Sequence, residues 1–340
     1  MGASPPFASR CNPMPSTPQG PDARATMLVP VTSAGIGLAA AKLRAGGLVA
    51  FPTETVYGLG ADATSEAAVA SLYAAKGRPR FNPLIIHVEN LQAALQYGVF
   101  DATALKLAHA FWPGPLTLVV PVRGNRISLL ARAGLDTVAL RVPGVDVARA
   151  LIAGAGVPVA APSANRSGAL SPTSARDVMA ELEGRIDMVL DGQPSAIGLE
   201  SSIVALRGGG AELLRPGAVA LEKLRMVVPV SVPAAQVGEV RPSAPGQLKS
   251  HYAPRAGLRL HATSLRPGEV GLDFGGVLSG ASRDLSPSGD LAEAAAQLFR
   301  ALRDLDASGA QVIAMAPVPQ HGLGFAINDR LARAAAPRDT

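Results

Sequence analysis

Three cations fall within five positions at Lys76, Arg78 and Arg80, directly ahead of a strand-like PLIIHV that carries His87. Val69, Leu72 and Tyr73 share one helical face, and Lys76 continues that stripe one turn later, where an apolar residue is expected. Pro79 and Pro83 stiffen the backbone around the charges. Rigid, convergent cations are how phosphate sites are built. The plainer alternative is a solvated basic helix end, which the macrodipole favours in any case. The position of Lys76 on a buried stripe argues for the anion site.

Other stretches carry groups that can join such a site. In FPTETVYGLGADA (51–63), Thr53, Glu54 and Thr55 stand at the mouth of a buried strand, and Gly58 and Gly60 would let the chain turn closely. In TVALRV (137–142), alternation puts Thr137, Ala139 and Arg141 on one strand face. An arginine inside an apolar strand costs free energy unless it meets an anion or a carboxylate, so Arg141 either binds a ligand or pairs with a residue such as Glu54 or Glu200. His87 alone reads first as a hydrogen-bonded core imidazole. APSANRSGALSPTS (161–174) and LESSIV (199–204) gather hydroxyls and an amide after strands. Together these stretches would line one cleft with donors and cations and hardly any free carboxylate.

Two familiar nucleotide signatures are weak or missing in this sequence. GIGLAA (35–40) mimics a dinucleotide turn but follows no convincing strand and has no suitable acidic residue about 20 positions on. No G-x-x-x-x-G-K-[ST] occurs, so any ATP is not held by a P-loop.

The elements that must position these groups follow from periodicity. From Met27 to about Val228, short apolar runs alternate with alanine-rich amphipathic segments, the pattern of an α/β domain. Strands are expected at 47–53, 83–88, 115–122, 137–142, 157–162, 187–191 and 201–206, with a helix over 65–77 capped by Ser65 and closed by Gly77. Prolines and glycines break the pattern over 229–255, a linker. A smaller α/β unit occupies 256–340, where Leu291, Ala295, Leu298, Leu302 and Leu305 share the face of a helix.

Composition bounds the rest. The chain has 340 residues, an excess of five positive charges and a single cysteine, Cys11. That excludes a disulfide framework and a cysteine-based zinc site and suits a reducing cytoplasm. Residues 1–26 are rich in proline and small polar residues and are expected to be disordered, with Met27 an alternative start. No run of 18 apolar residues occurs, so no membrane span is expected.

FPTETVYGLGADA, KGRPRFNPL, FWPGPLT, ALRVP, APSANRSG and ESSIV, in this order, resemble the YrdC/Sua5 family, and SAPGQLKSHYAP followed by a further domain resembles its longer Sua5 branch. The resemblance implies a YrdC-like twisted, open, mixed sheet with helices, plus a smaller Rossmann-like α/β domain. It implies synthesis of L-threonylcarbamoyladenylate from L-threonine, bicarbonate and ATP with Mg²⁺, feeding tRNA threonylcarbamoyl-transferase machinery. Residue by residue, it puts Lys76, Arg78, Ser163 and Asn165 at the nucleotide and carbamate. L-Threonine falls near Thr55, His87, Arg141, Ser163 and Ser201, and ATP near Arg78, Asn82, Thr137, Asn165, Thr173, Arg215 and Tyr252. Mg²⁺ is expected to ride on the phosphates rather than on protein ligands. The linker holds Lys249, His251 and Tyr252 between prolines, more chemistry than a tether needs, and is expected to fold over the cleft as a lid. One rival function is an RNA-binding module of the same fold, or weak RNA binding beside catalysis; it calls for surface cations interleaved with exposed aromatics, and aromatics are scarce. The other is a related carbamoyl-adenylate enzyme with another amine substrate, which product analysis separates.

Overall fold

The computed structural model describes residues 25–207, 210–233, 245 and 251–337. In chain order the first domain comprises β1 (Met27–Pro30), α1 (Ser33–Arg44), β2 (Val49–Phe51), β3 (Gly58–Asp62), α2 (Glu66–Lys76), β4 (Ile85–His87), α3 (Leu91–Ala94), α4 (Ala102–Phe111), β5 (Leu116–Pro121), β6 (Thr137–Arg141), α5 (Asp146–Ala155), β7 (Val159–Ala160), α6 (Ala175–Leu182), β8 (Met188–Asp191), β9 (Ser202–Arg207), β10 (Gly210–Arg215), α7 (Leu221–Arg225) and β11 (Val230–Ser231). Its strands form one eleven-stranded sheet in the order β1-β8-β2-β3-β7-β4-β6-β5-β9-β10-β11. Parallel and antiparallel pairs mix, as in β4 with β6 (parallel) and β5 with β6 (antiparallel). β11 carries this sheet past the expected boundary at 228, because it pairs with β10.

The second domain comprises β12 (Gly257–Arg259), β13 (Glu269–Asp273), β14 (Arg283–Asp284), α8 (Leu291–Ala307), β15 (Val312–Met315) and α9 (Leu323–Ala335). Its four strands are all parallel, in the order β12-β15-β13-β14. The mixed large sheet and the small parallel one agree with the fold expected from sequence. The two domains share apolar surface: Val56, Leu170 and Leu199 pack into the same core as Leu298, Phe299 and Ile327.

Local chemistry explains the helix that presents the cations. Ser65 accepts a hydrogen bond from Ala68 N at the start of α2, and Gly77 ends it at φ 60°. The buried stripe Val69, Leu72, Tyr73 and Lys76 is present as expected.

Three expectations need correction. β1 does precede GIGLAA, but the glycines lie inside α1, whose end is capped by Thr32. A Cβ on Gly35 would fall 2.2 Å from Pro30 O, so that glycine serves close packing and not a phosphate turn. Gly58 and Gly60 do not turn the chain either: both sit in β3, where a Cβ on Gly60 would meet Val159 Cγ1 at 2.9 Å. Of the N-terminal tail, residues 1–24 lie outside the described residues, while Thr26 is tied to the domain by donating to Ile186 O at 2.7 Å.

Candidate active site

A cavity opens where the ends of several strands meet the second domain. Its wall includes Thr55, Arg78, His87, Arg141, Ser163, Ser201, Arg215 and Tyr252, all expected from sequence, together with Glu200, His251 and Pro245. Its volume is about 50 Å³. That holds a few waters or a small solute, far less than a nucleotide needs.

Each side chain arrives there for a local reason. The left-handed Gly77 turns the chain off α2, and Arg78 then reaches back to carbonyls, donating from Nε to Asn82 O at 3.3 Å and from Nη2 to Pro83 O at 2.9 Å. β4 and β6 pair in parallel with His87 opposite Arg141, so imidazole and guanidinium stand side by side. A register shift between Leu213 and Arg215 in β10 re-aims Arg215, which donates to Ser201 O at 3.1 Å from Nε and 2.9 Å from Nη2. Ser201 Oγ lies 2.7 Å from Thr117 Oγ1.

The electrostatics follow from burial without counter-charge. Burial pushes the Arg78 guanidinium down to about 10, against the opposing effect of Tyr73. Burial also lowers Arg215. Lys76 is held well below the usual lysine range by burial and by Arg78. His87 is likewise lowered by burial and then by Arg141, and its Nδ1 has no partner among the described residues. His251 is pushed to about 3, mainly by burial. Glu200 behaves oppositely: burial would raise it, but Arg330 and Arg215 hold it at about 2.

Five expected residues are not on the cavity wall. Lys76 Nζ donates to the carbonyls of Ser163, at 2.6 Å, and Asn165, so it grips the loop that presents Ser163. The Asn165 amide donates to Arg166 O at 2.7 Å and Ala169 O at 2.9 Å, inside the same loop. Asn82 is fully buried, and its side-chain amide has no partner among the described residues. Thr173 Oγ1 donates to Asp177 at 3.3 Å beside the start of α6. Thr137 occupies the end of β6 away from Arg141, roughly 13 Å along the strand.

Arg330 was missed by sequence reasoning. This α9 residue is 1% exposed; it donates to Glu200 Oε2 at 2.7 Å and lies 5.0 Å from the Tyr252 ring centroid. The signal was present, since Ile327, Arg330, Leu331 and Ala334 form an apolar stripe interrupted by a cation, as around Lys76. In the linker, His251 and Tyr252 stack edge to face against the cavity, while Lys249 lies outside the described residues. Among the described residues, no group of three or more His, Cys, Asp or Glu side chains is placed to hold a metal ion, and no helix is long and apolar enough to cross a membrane.

Fold and cavity together define a two-domain α/β protein with a buried cavity walled by three arginines. The family described as Telomere recombination, grouping Sua5, YciO and YrdC sequences, matches residues 41–217, and the family described as Threonylcarbamoyl-AMP synthase, C-terminal domain, matches residues 219–336. The threonylcarbamoyl-AMP synthase of Bacillus subtilis is 40% identical over 89% of this chain and 93% of its own length. That of Pyrococcus abyssi is 40% identical over 88% of this chain and 94% of its own. The crystal structure of P. abyssi Sua5 complexed with L-threonine superimposes with a TM-score of 0.85 at 37% identity, covering 91% of this chain and 98% of that one. The chain belongs to the Sua5/YrdC family.

Proposed function

We propose that this chain is a nucleotidyltransferase that condenses L-threonine, bicarbonate and ATP into threonylcarbamoyl-AMP and pyrophosphate. The observation that carries this reading is the convergence of Arg78, Arg141 and Arg215 with the hydroxyls of Thr55, Ser163 and Ser201 in one cavity. The threonylcarbamoyl-AMP synthase relatives and the threonine-bound P. abyssi structure support it. An RNA grip would instead expose its cations, and these three arginines are buried.

Arg141 receives the threonine carboxylate, the bidentate task for which a guanidinium is shaped. Thr55, His87, Ser163 and Ser201 surround the rest of the amino acid. The threonine amine adds to bicarbonate with loss of water, and the carbamate oxygen attacks the α-phosphate as pyrophosphate leaves. Arg78 and Arg215 face the phosphates, and their neutral carbonyl partners leave their charge available to those oxygens. Lys76 acts through the Ser163–Asn165 loop it holds. Glu200, the carboxylate on the wall, is committed to Arg330 and Ser171. Mg²⁺ therefore fits as a passenger of the ATP phosphates, where it supplies further charge neutralisation.

In this reading His251 and Tyr252, which line the small cavity, move aside for the nucleotide and return over it, the lid role expected of the linker. The product is an activated carbamoyl donor for tRNA threonylcarbamoyl-transferase machinery, which fits residence in the cytoplasm. Incubation with ATP, Mg²⁺, bicarbonate and single amino acids tests the reading: pyrophosphate and a new adenylate are expected by mass spectrometry with L-threonine. Equal turnover with leucine, or without bicarbonate, would refute it.

A further inference from the structure

Arg141 is held from behind the cavity by a carboxylate. Its Nη2 donates to Glu54 Oε1 at 2.6 Å and its Nε to Gly114 O at 3.3 Å. Gly114 and Glu54 thus tether the guanidinium through two of its three nitrogens. Nη1, at the distal fork, has no hydrogen-bond partner among the described residues. Arg141 lines the cavity and Glu54 does not. Glu54 faces a separate groove with Pro52, Asp191 and Gln193 on the other side of the Thr-Glu-Thr segment.

We propose that Glu54 is the positioning residue that aims the Arg141 fork into the cavity and so sets the site's affinity for a carboxylate-bearing amine. The inference rests on the reading that Arg141 receives the threonine carboxylate. Glu54 is built for the task. Its carbonyl accepts from Ile197 N at 2.9 Å, which fixes its backbone. A Cβ on Gly144 would lie 3.1 Å from Glu54 Cδ and 3.2 Å from Oε1, so the bare glycine leaves the carboxylate its place. The hydroxyls of Thr53 and Thr55 meet at 2.8 Å, which keeps Thr55 turned to the cavity while Glu54 points away. A bidentate pair needs two N–H groups aimed in one plane, and a guanidinium tethered by two acceptors cannot swing that plane.

Steady-state pyrophosphate release by the full chain, with threonine and ATP varied separately, tests the proposal. Glu54→Met, which removes both acceptor oxygens at similar length, is expected to raise the KM for L-threonine by about 30-fold or more while the KM for ATP stays within about twofold. Glu54→Gln keeps a neutral acceptor and should raise the threonine KM by only about fivefold. Gly144→Ala, which presses on the carboxylate without removing it, should also raise the threonine KM alone, and it decides the matter if Glu54→Met does not fold. An unchanged threonine KM in folded variants, or equal rises for threonine and ATP with a lowered thermal midpoint, would overturn the positioning role. Wild-type protein that releases no pyrophosphate in response to threonine would instead sink the functional reading beneath it.

Discussion

Arg78 in the first domain and Arg330 in the second are both buried arginines beside the same cavity, yet their partners differ in kind. Arg78 donates to two backbone carbonyls, and burial lowers its pKa to about 10. Arg330 meets the carboxylates of Glu200 at 2.7 Å and Asp329 at 2.6 Å, and its pKa rises in spite of burial. Burial alone therefore does not distinguish a structural cation from a functional one. Two carboxylates and the Pro216 carbonyl engage the Arg330 guanidinium, whereas carbonyls hold Arg78 in place and leave most of its charge for a ligand; Arg141, with one carboxylate, stands between the two.

The sharpest way to break this contrast is to remove the paired cation. Arg330→Ala removes the charge partner in direct contact with buried Glu200, leaving Ser171 and the more distant charge of Arg215, and is expected to cost about 3 kcal/mol, read as a lowered urea midpoint. The same pair can be broken by acid. Arg330 and Arg215 hold the Glu200 carboxyl at about 2 in the folded protein, below its ordinary value of 4.5. Its contribution is therefore complete above pH 4.5 and is lost as pH falls toward 2, amounting to roughly 3 kcal/mol. Denaturant titrations across that window should show the loss, and Glu200→Gln should flatten it.

Removal of the unpaired cation should move catalysis. Arg78→Ala is expected to lower kcat/KM for pyrophosphate release by about 100-fold, as loss of a preorganised contact to developing charge does. Loss of Arg80, whose side chain is exposed, should change the same constant by less than about twofold. Similar small losses for both would return the cluster to a solvated helix end.

The two regions also differ in how far the sequence revealed them. Lys76 was visible as a cation on an apolar stripe, and Arg141 as a charge inside an apolar strand; both are buried as that reading requires. The open choice for Arg141 between Glu54 and Glu200 fell to Glu54, a distinction that depends on strand ends meeting in space. Lys76 points at a loop instead of the cavity because its chain length suits the carbonyls of Ser163 and Asn165, and no periodicity encodes that. Motif resemblance located Thr137 and Thr173 but could not show that they stand off the cavity wall. Arg330 carried the same stripe signal as Lys76, yet its partner lies 130 residues away, beyond any local pattern.

That separation sets a timetable for the newly made chain. Translation at about 5–20 residues per second puts roughly 6–26 s between the appearance of Glu200 and that of Arg330, while the earlier domain is already free to fold. During that interval the carboxylate has Ser171 but not its guanidinium, and Tyr252 still lacks the cation that lies against its ring. The support behind Glu200 and Tyr252 is thus among the last contacts the nascent protein can make, and a polypeptide stalled before α9 would present an unbraced cavity wall to the chaperones and proteases around it.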